Sequence, residues 1–194
     1  MRAQLSFALL SQIDTELLAV LAADTQTGKG PDAKPQPVLL TADVAVLAAA
    51  KAVLASGEFK AGANETTLLH APAGLAAKRL LLVGLGKQVK ATAHGVRSAA
   101  GTAVRFIKPR GIRELALALP ESDPKMLPHT ASVRAAVEGA LVGDFDPDTY
   151  RSDRKDQSVE SFTLAAPAGA DKPALEAAFA EGVILGESQN FTRS

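Results

Sequence analysis

The chain contains no cysteine and no tryptophan, and its aromatic residues are one tyrosine and seven phenylalanines among 194 residues. The lack of cysteine excludes disulfide bonds, thiolate catalysis and zinc sites built from cysteine. The scarcity of aromatic side chains disfavours nucleic-acid modules that stack bases on aromatic rings. The interior must therefore be mainly aliphatic, which is typical of helices packed on a sheet.

The chain also lacks an excess of charge of either sign, because 21 basic residues balance 21 acidic ones. A neutral chain has no overall positive field that attracts DNA phosphates or an anionic membrane, although a local basic patch remains compatible with this balance. No run approaches the roughly 20 apolar residues of a membrane span, and the first residues lack the continuous apolar core of a secretory signal. The sequence predicts a cytoplasmic protein of about one α/β domain.

Strand-like and helix-like segments alternate along the chain. Strands are predicted at residues 3–9, 17–22, 66–71, 78–83, 114–119 and 159–165. Helices are predicted from Thr41 or Asp43 to Gly57, then at residues 96–107 and 131–142, and from Pro173 onward. Residues 24–37 are predicted to be a polar loop. This order predicts an α/β fold in which a mixed, mostly parallel sheet of about six strands has helices on both faces.

One short glycine motif is a candidate phosphate-binding turn. Gly84, Gly86 and Lys87 follow a predicted strand and precede a predicted helix. Free amides at the start of a helix favour anions, but the motif lacks the third glycine of the dinucleotide fingerprint. The alternative is a tight turn between strand and helix, with the lysine in solvent.

Residue types suited to catalysis or metal binding are scattered along the chain. His70, His94 and His129 are far apart in sequence, and none has a partner at metal-ligand spacing. The sequence contains no Gly-x-Ser-x-Gly elbow for a nucleophilic serine. We therefore predict no catalytic residue and no metal ligand in this chain.

Three stretches resemble the N-terminal domain of leucyl (cytosol) aminopeptidases in their order and spacing. They read SGEFKAG at residues 56–62, RLLLVGLGK at 79–87 and EGVILGESQNFTR at 181–193. The similarity covers essentially the whole chain. It implies a three-layer, macrodomain-like domain over residues 1–170. It also implies that residues 171–194 form a helix leading to a C-terminal catalytic domain.

The resemblance further implies an accessory role in a two-metal exopeptidase that releases N-terminal amino acids such as leucine. In this family two zinc or manganese ions are bound in the catalytic domain by a lysine, aspartates and a glutamate. Those motifs lie outside this sequence, so no catalytic or metal residue is carried over, and we expect the chain alone to perform no chemistry. The implied partners are the catalytic domain of the same polypeptide, the other subunits of a homo-hexamer and, for the whole enzyme, peptide substrates.

Two other functions remain compatible with the sequence. The first is a macrodomain-like module that binds ADP-ribose or a related phosphate through Gly84, Gly86 and Lys87. The second is a DNA-binding module, which some bacterial members of the family suggest and which requires a local basic patch. The residues available for such a patch are Lys87, Lys90, Arg97, Arg105, Lys108 and Arg110.

Overall fold

A computed structural model describes residues 1–28, 33–123, 125–146 and 157–193. Its strands are β1 (Arg2–Ser6), β2 (Leu17–Asp24), β3 (Pro37–Leu39), β4 (Thr66–His70), β5 (Arg79–Lys87), β6 (Glu114–Ala118) and β7 (Ser161–Ala165). Its helices are α1 (Val44–Ser56), α2 (Ala93–Ile107), α3 (His129–Asp144) and α4 (Lys172–Phe191).

The strands form one mixed sheet in the order β1-β7-β6-β2-β5-β4, with β3 paired to the end of β2. Five adjacent strands are parallel to one another, namely β1, β7, β6, β2 and β5. Strand β3 pairs with β2 and β4 pairs with β5, and both of these pairs are antiparallel. The prediction of a mixed, mostly parallel sheet is confirmed. The structure adds the seventh strand, β3, which begins at the end of the predicted polar loop and is too short to show a periodic pattern.

The central strand β2 divides the core into two halves. All eight of its residues are buried. Leu17, Ala19 and Leu21 belong to a core that includes α2, α3 and α4, whereas the alternate residues face a core closed by α1 and Phe59. Because successive side chains of a strand point to opposite faces, this alternation places helices on both sides of the sheet, as predicted.

The ends of the first and last helices follow the expected capping chemistry. The Asp43 carboxylate accepts a hydrogen bond from the Val46 amide at 3.1 Å, and Gly57 ends α1 in the left-handed region with φ 73°. The Asp171 carboxylate accepts from the Ala174 amide at 3.2 Å at the start of α4. These side chains satisfy amides that lack a partner within the helix.

Glycines allow α2, α3 and α4 to approach one another closely. A Cβ atom on Gly139 of α3 would overlap the carbonyl oxygen of Arg97 in α2. A Cβ atom on Gly182 of α4 would lie 2.7 Å from the carbonyl oxygen of Arg134, and one on Gly186 would lie 2.8 Å from Leu141. The three helices therefore pack with backbone against backbone at positions where a larger residue does not fit.

We expect the substitution Gly139→Ala to destabilise the protein by about 1–3 kcal/mol, because overpacking a close contact forces the helices apart. The measurement is urea unfolding followed by circular dichroism. Gly95→Ala is the matched control, since its added methyl group would come no closer than 3.8 Å to any neighbour. The control should be neutral or stabilising by up to about 1 kcal/mol through helix propensity. Equal stability of the Gly139 variant and the wild type would contradict the close-packing argument.

Candidate functional site at the carboxyl edge of the sheet

Two adjoining cavities open at the edge where the parallel strands end. The larger, of about 500 Å³, lies between the segments that follow β6 and β7. The smaller, of about 220 Å³, also reaches the segments that follow β1 and β3. Ligands of open α/β sheets bind in the crevice outside the carboxyl ends of the strands. This pair of cavities, which we call the carboxyl-edge crevice, is therefore the candidate functional site.

Three residues, Glu121, Pro167 and Ala168, line both cavities of the crevice. Other side chains make the two cavities chemically different. The larger cavity adds the polar residues Ser122, His129 and Asp171, whereas the smaller one adds mainly apolar residues. These apolar residues are Phe7, Ala8, Leu9, Leu10, Ala42 and Ala166.

Carboxylates dominate the charge of the crevice. Asp43, Glu121 and Asp171 line it, and one lysine, Lys172, lies beside it with its ammonium group 5.5 Å from the Phe7 ring. Asp43 and Asp171 cap helices, whereas Glu121 Oε1 accepts hydrogen bonds from the Ala42 amide at 3.0 Å and the Thr41 hydroxyl at 3.3 Å. The negative charge opposes binding of phosphate groups and favours neutral or cationic ones.

The structure places the glycine motif outside this crevice, and its two glycines lie in a strand instead of the predicted turn. Gly84 and Gly86 lie within β5 rather than in a turn, and α2 begins only at Ala93. The Gly84 amide donates to the Glu65 carbonyl at 2.8 Å, and the Gly86 amide donates to the Ala61 carbonyl at 2.9 Å. The strand continues because the preceding loop pairs with its backbone. Anion binding at this motif stays a prediction, and the two glycine amides that would serve it already have partners within the protein.

Lys87, the third residue of the motif, forms an ion pair with Asp24. Its Nζ atom lies 2.7 Å from Asp24 Oδ2, and the Asp24 side chain is only 8% exposed. Asp24 Oδ1 also accepts hydrogen bonds from the amides of Gln26 at 3.0 Å and Gln36 at 2.8 Å. Burial by itself raises the pKa of Asp24. The hydrogen bonds from Lys87, Gln36 and Gln26, together with the charge of Lys87, outweigh burial and lower this pKa below its ordinary value.

Other members of the proposed basic patch also have partners within the protein. The Lys108 ammonium group donates to the Asp144 carbonyl at 2.7 Å. The Arg110 guanidinium group stacks on the Phe106 ring at 3.7 Å and donates to the carbonyl of the same residue. Arg97 is likewise paired, with Glu138, as detailed below. Carboxylates offset the charges of Arg97 and Lys108, which lies 3.7 Å from the Asp144 carboxylate, and this weakens the support for a DNA-binding surface. The partners of Arg110 are neutral and leave its charge in place.

The three histidines occupy separate elements of the fold. His70 ends the edge strand β4, His94 lies in the first turn of α2, and His129 begins α3 at the crevice. Within the residues that the structure describes, no three His, Asp or Glu side chains are grouped as metal ligands. Over the same residues, no helix is both long enough and apolar enough to cross a membrane.

Comparison with known sequences identifies relatives that are longer than this chain. The family model described as "Cytosol aminopeptidase family, N-terminal domain" matches residues 31–154. A probable cytosol aminopeptidase of Acidobacterium capsulatum is 56% identical over 189 residues. The match covers 95% of this chain but 37% of that relative. The chain thus spans little more than a third of the relative's length.

Comparison with solved structures confirms the macrodomain-like fold. A mutant of tomato leucine aminopeptidase matches 94% of this chain and 35% of its own, with a TM-score of 0.66 and 21% identity. A Trypanosoma brucei macrodomain, solved in complex with ADP, matches 91% of this chain and 68% of its own. Its TM-score is 0.62 and its identity is 13%. At these identities the similarity shows the fold alone.

We expect Asp24→Asn to lower the free energy of unfolding at pH 7 by about 1.5–3 kcal/mol, the usual range for a hydrogen bond to a charged group. The folded pKa of Asp24 lies below its unfolded value of about 4, so its ionic stabilisation is present above that pH. The stabilisation is lost as the pH falls through the folded pKa. Urea unfolding of both proteins across this range should show the difference shrinking. Exposed Asp14→Asn is the control; a pH-independent difference would refute the ion-pair interpretation.

Proposed function

Because this chain belongs to the cytosol aminopeptidase family, whose N-terminal domain it forms, we propose that it acts as an accessory domain of a metal-dependent exopeptidase. Its role is to dock onto the catalytic domain and to support assembly of the enzyme. The observation that carries this proposal is helix α4, which is fixed on its inner face and exposes large apolar side chains in the C-terminal part of its outer face. The matched relative has room for a catalytic domain, because the match covers only 37% of its length.

The inner face of α4 is fixed to α3 along most of its length. Its buried residues are Leu175, Ala178, Gly182 and Gly186. Further along, a polar network joins three helices, since Arg97 of α2 bonds to Glu138 of α3 at 2.9 Å and to Gln189 of α4 at 2.8 Å. Gln189 also donates to Glu138, and Asn190 donates to the Leu141 carbonyl at 3.0 Å. These contacts set both the position and the rotation of α4.

The outer face of α4 exposes large apolar side chains. Ile184 is 63% exposed, Leu185 is 42% exposed and Phe191 is 82% exposed. Exposed apolar side chains on an ordered helix favour a protein interface, and a surface that is already rigid loses little entropy on binding. We assign this outer face to contact with the catalytic domain, with residues 1–170 as the accessory domain and 171–194 as the connecting helix. In the cytoplasm the whole enzyme would form a homo-hexamer and cleave peptides.

The chemistry of the proposed enzyme belongs to the catalytic domain. Two divalent ions, zinc or manganese, would activate water and polarise the scissile carbonyl there. The described residues of this chain do not offer a group of three ligands for such an ion. We therefore assign no step of peptide hydrolysis to this chain.

The purified chain should release no leucine from leucine p-nitroanilide in the presence of manganese or zinc. The reason is that its proposed role is docking, with the metal ligands supplied by another domain. Absorbance at the nitroaniline band measures the reaction, and a leucine aminopeptidase serves as the positive control. A metal-dependent leucine-releasing activity that co-purifies with this chain would overturn the accessory role.

The outer face of α4 should bind the catalytic part of a relative. We expect the chain to associate with the unmatched segment of the Acidobacterium capsulatum protein, and the double substitution Ile184→Asp and Leu185→Asp to weaken binding at least about 100-fold. Burial of two such side chains contributes about 3 kcal/mol or more. Sedimentation velocity measures the association. Val44→Asp is the matched control, because Val44 is 79% exposed but lies on α1. Equal loss in the control, or no binding by the wild type, would contradict the docking surface.

A further inference from the structure

Glu121 occupies a special position in the carboxyl-edge crevice. It lies on the segment after β6 and lines both cavities. Its backbone amide donates to the Leu40 carbonyl at 2.9 Å, which ties this segment to the one that follows β3. This hydrogen bond fixes the main chain of Glu121 beside both cavities.

The carboxylate of Glu121 binds two hydrogen-bond donors on the segment that follows β3. Its Oε1 atom accepts from the Ala42 amide and from the Thr41 hydroxyl. The Thr41 oxygen in turn accepts from the Asp43 amide at 3.1 Å, and Thr41 is buried. A buried hydroxyl and a main-chain amide converging on one oxygen atom form a small anion-binding arrangement, and here the anion is part of the chain.

We propose that Glu121 is a built-in anion that fills the position beside Thr41 and Ala42 and excludes phosphate groups from it. A free anion would have to displace a carboxylate that is tethered in place, and tethering gives the internal group a high effective concentration. The incoming anion would also meet the charges of Asp43 and Asp171, which line the same crevice. This inference rests on the crevice alone and is independent of the proposed role of α4.

Removal of the Glu121 side chain tests the inference. The probe is inorganic pyrophosphate, titrated into the ¹⁵N-labelled chain while the amide resonance of Ala42 is followed by NMR. We expect Glu121→Ala to bind pyrophosphate at least tenfold more tightly than the wild type, with a shift of the Ala42 amide. Glu187→Ala is the matched control, because it removes one negative charge from an exposed position on α4. The control should behave as the wild type does.

Two results would overturn the inference. The first is wild-type binding of pyrophosphate at Ala42 with the same affinity as the alanine variant. The second is a folded Glu121→Ala protein that shows no gain in affinity. If circular dichroism shows that this variant is unfolded, Glu121→Ser replaces it, since serine is also too short to reach the Ala42 amide. A folded serine variant that gains no affinity would refute the inference in the same way.

Discussion

The close contact of α2, α3 and α4 through glycine is the constraint on which much of this structure depends. Gly139 brings the α3 backbone against Arg97 of α2, and Gly182 brings the α4 backbone against Arg134 of α3. Close packing lowers the distance between the helices, so polar side chains such as Gln189 and Glu138 meet across them. The resulting layer packs on one face of the sheet and fixes the position of α4.

The parallel strands impose a second constraint, because they bring several helix starts to one edge of the sheet. Helix starts carry free amides and a partial positive charge, so this edge attracts anions in many α/β proteins. At α1 and α4 the chain satisfies some of these groups itself. Asp43 and Asp171 cap α1 and α4, and Glu121 bonds to the segment before α1. Internal carboxylates thus make the edge stable and leave it negatively charged.

The sequence predicted the regular elements well where a local signal exists. Asp43 and Gly57 mark the ends of α1 because capping depends on residues next to the helix. The prediction of a turn at Gly84 was wrong, because the conformation of this segment depends on pairing with a loop about twenty residues earlier. The carboxyl-edge crevice was missed for the same reason: Glu121 meets Ala42 only after the sheet has formed. The available signal was a charged residue two positions after the predicted strand at residues 114–119.

Fold similarity alone does not decide between a ligand-binding module and an accessory domain, because function resides in particular side chains. The two candidate surfaces of this chain differ in this respect. The crevice presents carboxylates whose hydrogen bonds are already used within the protein. The outer face of α4 presents Ile184 and Leu185, which are exposed on a helix that is otherwise fixed in place. Apolar groups left in water gain free energy when a partner covers them, whereas satisfied carboxylates lose hydration when a ligand approaches. The balance favours macromolecular docking at α4 over ligand binding in the crevice.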